Sequence, residues 1–322
     1  MAFKNILGQN RALKILQGNI TQRRVAHAYL FEGDKGVGKY LAAKQFAKAL
    51  NCLKNTVSKA EPDSCDRCHS CIRIDKKSHP DVLEIQAEDG GQIKVDTIRG
   101  LEEFLSFKPF EGRWKVVLID DADLMNVAAA NAFLKTLEEP PGQSMMVLVS
   151  NKAQALLETI ISRCRRVHFN PLPFEDFKQL LPLRDNIGLM YRLTGGRPGM
   201  AMDDGIYLSE RNKAMEQFQY LIGTGSDSLW DTIETIEVWL EWAILFLRDM
   251  AILFTSSGLE LLVNIDLEPE IRKIGSKTNL ENILTLAEEM FRLKRLTRFN
   301  LNKQLTQVYI RTILKKKLNF NN

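Results

Sequence analysis

The chain has 322 residues, 45% of them apolar and 26% charged, and a net charge of +4. That length suits two or three domains and a sizeable core, and the composition excludes collagen-like chains, coiled-coil rods and extended disorder. The longest apolar run, Trp242 to Leu247, ends at Arg248, far short of the ~20 residues a membrane span needs. The opening Met1-Ala2-Phe3-Lys4-Asn5-Ile6 has no apolar stretch of signal-peptide length, so a cytoplasmic chain without membrane contact is expected.

Ala28 to Glu32 reads as a strand. It runs into Gly33-Asp34-Lys35-Gly36-Val37-Gly38-Lys39-Tyr40, and Lys39 to Leu50 reads as a helix. A Gly-x4-Gly-Lys run between strand and helix is a phosphate cradle: backbone N–H groups and the helix N-terminus face the phosphates while the lysine neutralises them. The bland alternative is a glycine-rich turn without a ligand. The residue after the lysine should be Ser or Thr, whose hydroxyl binds Mg²⁺. Tyr40 stands there instead, and a rigid phenol cannot occupy that short reach.

Cys52, Cys65, Cys68 and Cys71 follow as Cys-x12-Cys-x2-Cys-x2-Cys. In a cytoplasmic chain, cysteines so spaced point to a metal or to catalysis rather than to disulfides. Four thiolates close a tetrahedral Zn²⁺ shell with no open position, which makes the metal structural. An iron–sulfur cluster and unliganded thiols are the competing readings. His69 and His79 are near enough to substitute, and Lys76 and Lys77 are too few to argue nucleic-acid binding.

Val82 to Ile85 is a strand, and Val95, Ile98, Leu101 and Leu105 form a helical stripe. Lys115 to Asp120 is a strand ending in Asp120 and Asp121. Asn126 to Glu139 is a helix closed by Pro140-Pro141, and Met145 to Val149 is a strand. This alternation implies right-handed crossovers and a parallel sheet. Paired with the phosphate loop, Asp120 sits where an acid would orient Mg²⁺. Asp121 sits where a longer glutamate would polarise the attacking water, and a misplacement of about 1 Å can cost on the order of 100-fold in rate.

Pro171 and Pro173 flank Leu172 like a linker. Beyond them helical spacing dominates, as in Leu301, Leu305, Val308 and Thr312. The segment Val238 to Phe254, with Trp239, Trp242 and Phe246, suits a core helix, with or without one interface face. Residues 290–322 carry nine basic and no acidic side chains, so the net of +4 leaves −5 on the rest of the chain. Such a tail faces a polyanion or a partner, or is simply a solvated helix face.

Several stretches together resemble a known family. They are Phe3-Lys4-Asn5-Ile6-Leu7-Gly8-Gln9, His27-Ala28-Tyr29-Leu30-Phe31, the inserted cysteines, the run Ala129 to Pro141 and Ile161-Ser162-Arg163-Cys164. Over residues 1 to 205, and by general pattern beyond, the chain is similar to the delta-prime family of bacterial DNA polymerase III clamp-loader subunits, relatives of the AAA+ ATPases. The resemblance implies an AAA+-like α/β phosphate-loop domain over 1–169 with a zinc module inserted at about 52–71. A small helical lid over 170–207 and an all-α collar domain over 208–322 would follow.

The resemblance further implies that Arg163 of the Ser-Arg-Cys triplet is an arginine finger offered in trans to a neighbour's ATP. Read without the family, Arg163 is a structural ion-pair residue. Tyr40, Asp121 and Gly199 depart from the hydrolysing relatives, which carry a lid arginine near the last position; Arg197 lies two residues earlier. Ser150 and Asn151 stand at the sensor strand end. The implied protein keeps a degenerate cradle of Gly33, Gly36, Gly38 and Lys39, and ATP–Mg²⁺ at its own loop is disfavoured. It would show neither ATPase nor polymerase activity by itself. Its implied partners are gamma/tau and delta subunits in a hetero-oligomeric ring, the sliding clamp and, through the complex, primer-template DNA. The rival readings are an ATP-hydrolysing gamma/tau-type subunit and a zinc-dependent nucleic-acid-binding module with a vestigial nucleotide fold.

Overall fold

The structure, a computed structural model, describes residues 2–54, 62–87, 91–182, 186–202, 205–223, 229–255, 258–299 and 301–320. Part of the expected zinc insertion, residues 55–61, lies outside them. The chain divides into two compact units, Met1–Leu183 with Gly196–Met200, and Arg184–Gly195 with Ala201–Asn322.

The first unit runs α1 (Asn10–Thr21), β1 (Ala28–Glu32), α2 (Lys39–Asn51), α3 (His69–Asp75), β2 (Val82–Ile85), α4 (Val95–Ser106) and β3 (Lys115–Ile119). It continues with α5 (Val127–Glu138), β4 (Ser144–Ser150), α6 (Glu158–Ile161), β5 (Arg165–His168) and α7 (Phe174–Leu180). The strands form one parallel sheet in the order β2-β3-β4-β1-β5, as the alternation of strand and helix requires. Ala28 pairs with Met146 and Tyr29 with Arg165, which puts β1 between β4 and β5.

Successive side chains of a strand point to opposite faces, and here both faces are covered, so the strands read as continuous apolar runs. Tyr29, Phe31, Val116, Leu118 and Val147 pack with Leu16, Phe46 and Phe169 on one side. Leu30, Val117, Ile119, Met146 and Leu148 pack with Ile98, Leu101 and Phe133 on the other. Phe46 and Phe133 are fully buried, and each such side chain contributes on the order of 2 kcal/mol. Asn126 caps α5, its side chain accepting from the Ala129 N–H at 2.8 Å. The helix stops before Pro140-Pro141 because a residue preceding proline is pushed out of the helical region.

The second unit is helical. It comprises α8 (Ile187–Thr194), α10 (Ile206–Ile222), α11 (Ile233–Thr255), α12 (Glu268–Gly275), α13 (Leu280–Leu296) and α14 (Lys303–Lys317), with the short α9 (Pro198–Ala201) at the division. Trp230, Trp239 and Trp242 are buried with Phe218 and Phe246 around α11. The stripe read from Leu301, Leu305, Val308 and Thr312 has the right period but lies on the wrong face. Leu305 is 70% and Val308 62% exposed, while Thr306, Ile310 and Leu314 point inward. The helix carries apolar residues on two faces, and periodicity alone does not say which one packs. Among the described residues no helix is long and apolar enough to cross a membrane.

Candidate functional site

The phosphate loop needs backbone that only glycine tolerates. Gly33 has φ +142° and a Cβ there would meet the Phe169 carbonyl oxygen at 2.2 Å; Gly38, with φ +94°, opens α2. The loop is braced from the N-terminal box, since Gln9 Nε2 donates to the Val37 carbonyl at 3.2 Å and to that of Asn170 at 2.7 Å. Gly199 lies against Gly36, its N–H donating to the Gly36 carbonyl at 2.8 Å.

Lys39 is buried, and its ammonium donates to the carbonyls of Gly33 (2.7 Å) and Asp34 (2.6 Å) and to Asn151 Oδ1 (2.7 Å). Three donors thus meet three acceptors from the chain itself. Burial pulls the Lys39 pKa down, while Asp120, Asp121, Asp34 and Asp123 work to hold the charge. Asn151 also donates through Nδ2 to Asp121 Oδ1 at 2.6 Å, fixing the carboxylate that follows β3. Asp121 sits at φ +45°, a left-handed conformation that a short polar side chain tolerates. Burial and then the Asp121 charge raise the pKa of Asp120. Ser150 hydroxyl donates to Asp123 Oδ1 at 2.5 Å.

Tyr40 turns away from the loop. Its hydroxyl donates to Glu84 of β2, a carboxylate that Lys44 and Lys77 also approach at 3.5 and 3.4 Å. Burial first, then Glu84, pushes the phenol pKa up, so it stays a protonated donor.

Cys52 ends α2, Cys65 and Cys68 precede α3, and Cys71 lies within it. None of the four is in a disulfide, and their Sγ atoms lie within 4.8 Å of one another. The Cys52–Cys68 separation is 4.0 Å, against the ~3.8 Å between sulfurs of a tetrahedral zinc site with Zn–S near 2.3 Å. The donor set therefore fits zinc. Burial opposes the Cys68 thiolate, but the N–H groups of Cys71 and Leu53 and the Cys71 and Cys65 thiols outweigh it and bring its pKa to about 6. The buried Lys48 ammonium is paired with Asp66, the residue after Cys65, at 2.5 Å and with Asp75 at 2.8 Å. Cys164 stands apart, and burial alone pushes its thiol up to about 12.

Arg163 follows α6. Its Nη1 donates to the Thr159 carbonyl at 3.0 Å and its Nη2 to Glu138 Oε1 at 2.8 Å, with Glu138 at the end of α5. Arg166, two strand positions from β5's end, is instead held by Glu32 in a two-point pair at 3.0 and 2.8 Å. The phosphate-loop residues, the two aspartates and Asn151 thus come together, while the cysteines and Arg163 form separate clusters. Glu84, Lys48 and Glu138 each lie inside an element or run that the sequence marks, but nothing in the spacing singles them out as site residues.

A family profile described as "DNA polymerase III, delta subunit" matches residues 8–173. DNA polymerase III subunit delta' of Bacillus subtilis is 44% identical over 164 residues, covering 51% of this chain and 48% of the relative. DNA polymerase III subunit tau of the same organism is 41% identical over 167 residues, covering 52% of this chain and 29% of the relative. The alignments thus span about half the length of the first of these relatives and less of the second. A solved gamma-subunit-related protein of DNA polymerase III from Thermotoga maritima aligns over 96% of this chain and 99% of its own, at 21% identity and a TM-score of 0.46.

Proposed function

The chain belongs to the DNA polymerase III delta-subunit family, and we propose that it is a delta-prime-type subunit of the clamp loader that serves a neighbour's ATP and hydrolyses none itself. The observation that carries this reading is Lys39, whose three donors are engaged by Gly33, Asp34 and Asn151. Tyr40 supplies no hydroxyl for Mg²⁺ and is tied to Glu84. Asp121 is held by Asn151 and is a methylene short of the glutamate that would polarise water. The tau relative is nearly as similar as the delta' relative, so identity does not separate an ATP-hydrolysing gamma/tau-type subunit from this reading; the loop chemistry favours the latter.

In this reading Arg163 is the finger. A planar guanidinium can spread over γ-phosphate oxygens, and such fingers raise phosphoryl-transfer rates by ~10³–10⁵. Residues 1–169 act as the AAA+-like domain, 170–207 as a lid and 208–322 as a collar in a cytoplasmic hetero-oligomeric ring with gamma/tau and delta subunits. Through that ring the chain acts on the sliding clamp and primer-template DNA. Cys52, Cys65, Cys68 and Cys71 hold a structural Zn²⁺, which would tie the end of α2 to α3. The test is a loader reconstituted with clamp and primed DNA at saturating subunit. Arg163→Ala should leave the chain's melting temperature and assembly intact while slowing hydrolysis at the site it faces, and Arg163→Lys should not restore the full rate. Unchanged hydrolysis in the intact complex removes the finger role.

A further inference from the structure

We propose that Glu138 is the positioning residue for Arg163, presetting the guanidinium so that its unused N–H groups are available to a neighbouring subunit's triphosphate. The proposal rests on the finger reading above. Arg163 is gripped at two points from two elements, the Thr159 carbonyl of α6 and the Glu138 carboxylate of α5. Two contacts on a planar group fix its place and its tilt, which one contact does not. Of the five N–H donors of an arginine, two are engaged, and the other three have no partner among the described residues. Three donors are enough for a bidentate grip on phosphate oxygens.

Glu138 has little to offer the fold in this place. It is the last residue of α5, where the helix dipole disfavours an anion. The Arg163 and Glu138 side chains are 36% and 53% exposed, and pairs this open add little to stability. The same exposure makes the hold weak enough to yield in part to a phosphate. A long arginine left unheld would sample many rotamers, and the catalytic geometry would have to be found anew at each turnover. Glu139, the next residue, enters no ion pair among the described residues and serves as the internal control.

The experiment uses the reconstituted loader with clamp and primed DNA, and follows single-turnover ATP hydrolysis, where a slowed site separates as its own phase. Arg163→Ala, Glu138→Ala, Glu138→Gln and Glu139→Ala are compared. Glu138→Ala should slow the faced site about tenfold with its ATP KM within about twofold, the pattern of a lost transition-state contact. Its melting temperature should stay within about 1 °C of the parent. Glu138→Gln, whose amide oxygen accepts the same hydrogen bond, should recover part of the rate, and Glu139→Ala should match the parent. If Arg163→Ala slows the site and Glu138→Ala does not, the finger stands and the positioning role is overturned. If neither slows it, the finger reading itself fails and this inference with it. If Glu138→Ala lowers melting temperature or assembly in step with rate, the residue is a brace, and the proposal is overturned.

Discussion

At Lys39, one ammonium with three donors meets three acceptors of its own chain. A triphosphate would have to displace bonds already made in a buried setting, where each is costly to leave unmade. The isolated chain should therefore show negligible Mg²⁺-dependent ATP turnover. Tyr40→Ser should not create it, because Asp121 and the Asn151 bonds are unchanged. An ATPase assay checks this, with Lys39→Ala as the blank; a robust rate that Lys39→Ala abolishes would overturn it. Tyr40→Ser should also cost about 1–3 kcal/mol of stability, since it strips a ring packed against the core and a hydrogen bond from the buried Glu84 carboxylate. The cradle of Gly33, Gly36, Gly38 and Lys39 was legible in the sequence because it is a local pattern. What occupies the cradle was not, because Asn151 lies 112 residues from Lys39 and Glu84 lies 44 from Tyr40. No spacing rule reaches that far; the parallel sheet brings the strand ends together.

Among the elements, the connection from α4 to β3 is organised by one buried carboxylate. Asp81 accepts the N–H groups of Phe110 (2.7 Å), Glu111 (2.9 Å) and Gly112 (2.7 Å) and pairs with Lys115 at 3.3 Å. Burial opposes its charge, but those donors outweigh it and hold the pKa below its ordinary 3.8. A carboxyl with a depressed folded pKa contributes stability that is fully present above the unfolded value and lost as pH falls through the folded one. Wild-type stability should thus decline below about pH 4. Asp81→Asn should lose about 1–3 kcal/mol at neutral pH and fall less steeply in acid. Urea melts at pH 7 and pH 3 check both, and parallel acid profiles for the two proteins would refute the assignment. Strands and long helices were readable at this scale because each carries its own period. The inward face of α14 was not, because Leu305 and Val308 offer as good a stripe as Ile310 and Leu314. Only the packing of α10 and α13 against the helix decides between them.

At the scale of the molecule, the two compact units differ in what closes them. The helical unit is held by aromatic packing around Trp239, Phe218 and Phe246. The α/β unit has a two-sided sheet core and, beside it, a cysteine cluster joining the end of α2 to α3. A metal that binds the folded cluster and not the unfolded chain stabilises by mass action, and it does so only for the unit whose folding makes the site. We expect one zinc per chain by elemental analysis, with four of the five cysteines protected from alkylation until the metal is withdrawn. In calorimetry, a strong chelator should lower the transition of the α/β unit by several degrees and leave that of the helical unit in place. Cys68→Ser should do the same without chelator, whereas Cys164→Ser should leave the zinc content unchanged, because that thiol stands apart from the cluster. Iron with sulfide in place of zinc would assign the cluster to another metal. A chelator that moved both transitions equally would mean that the cluster braces the whole chain rather than the unit that contains it.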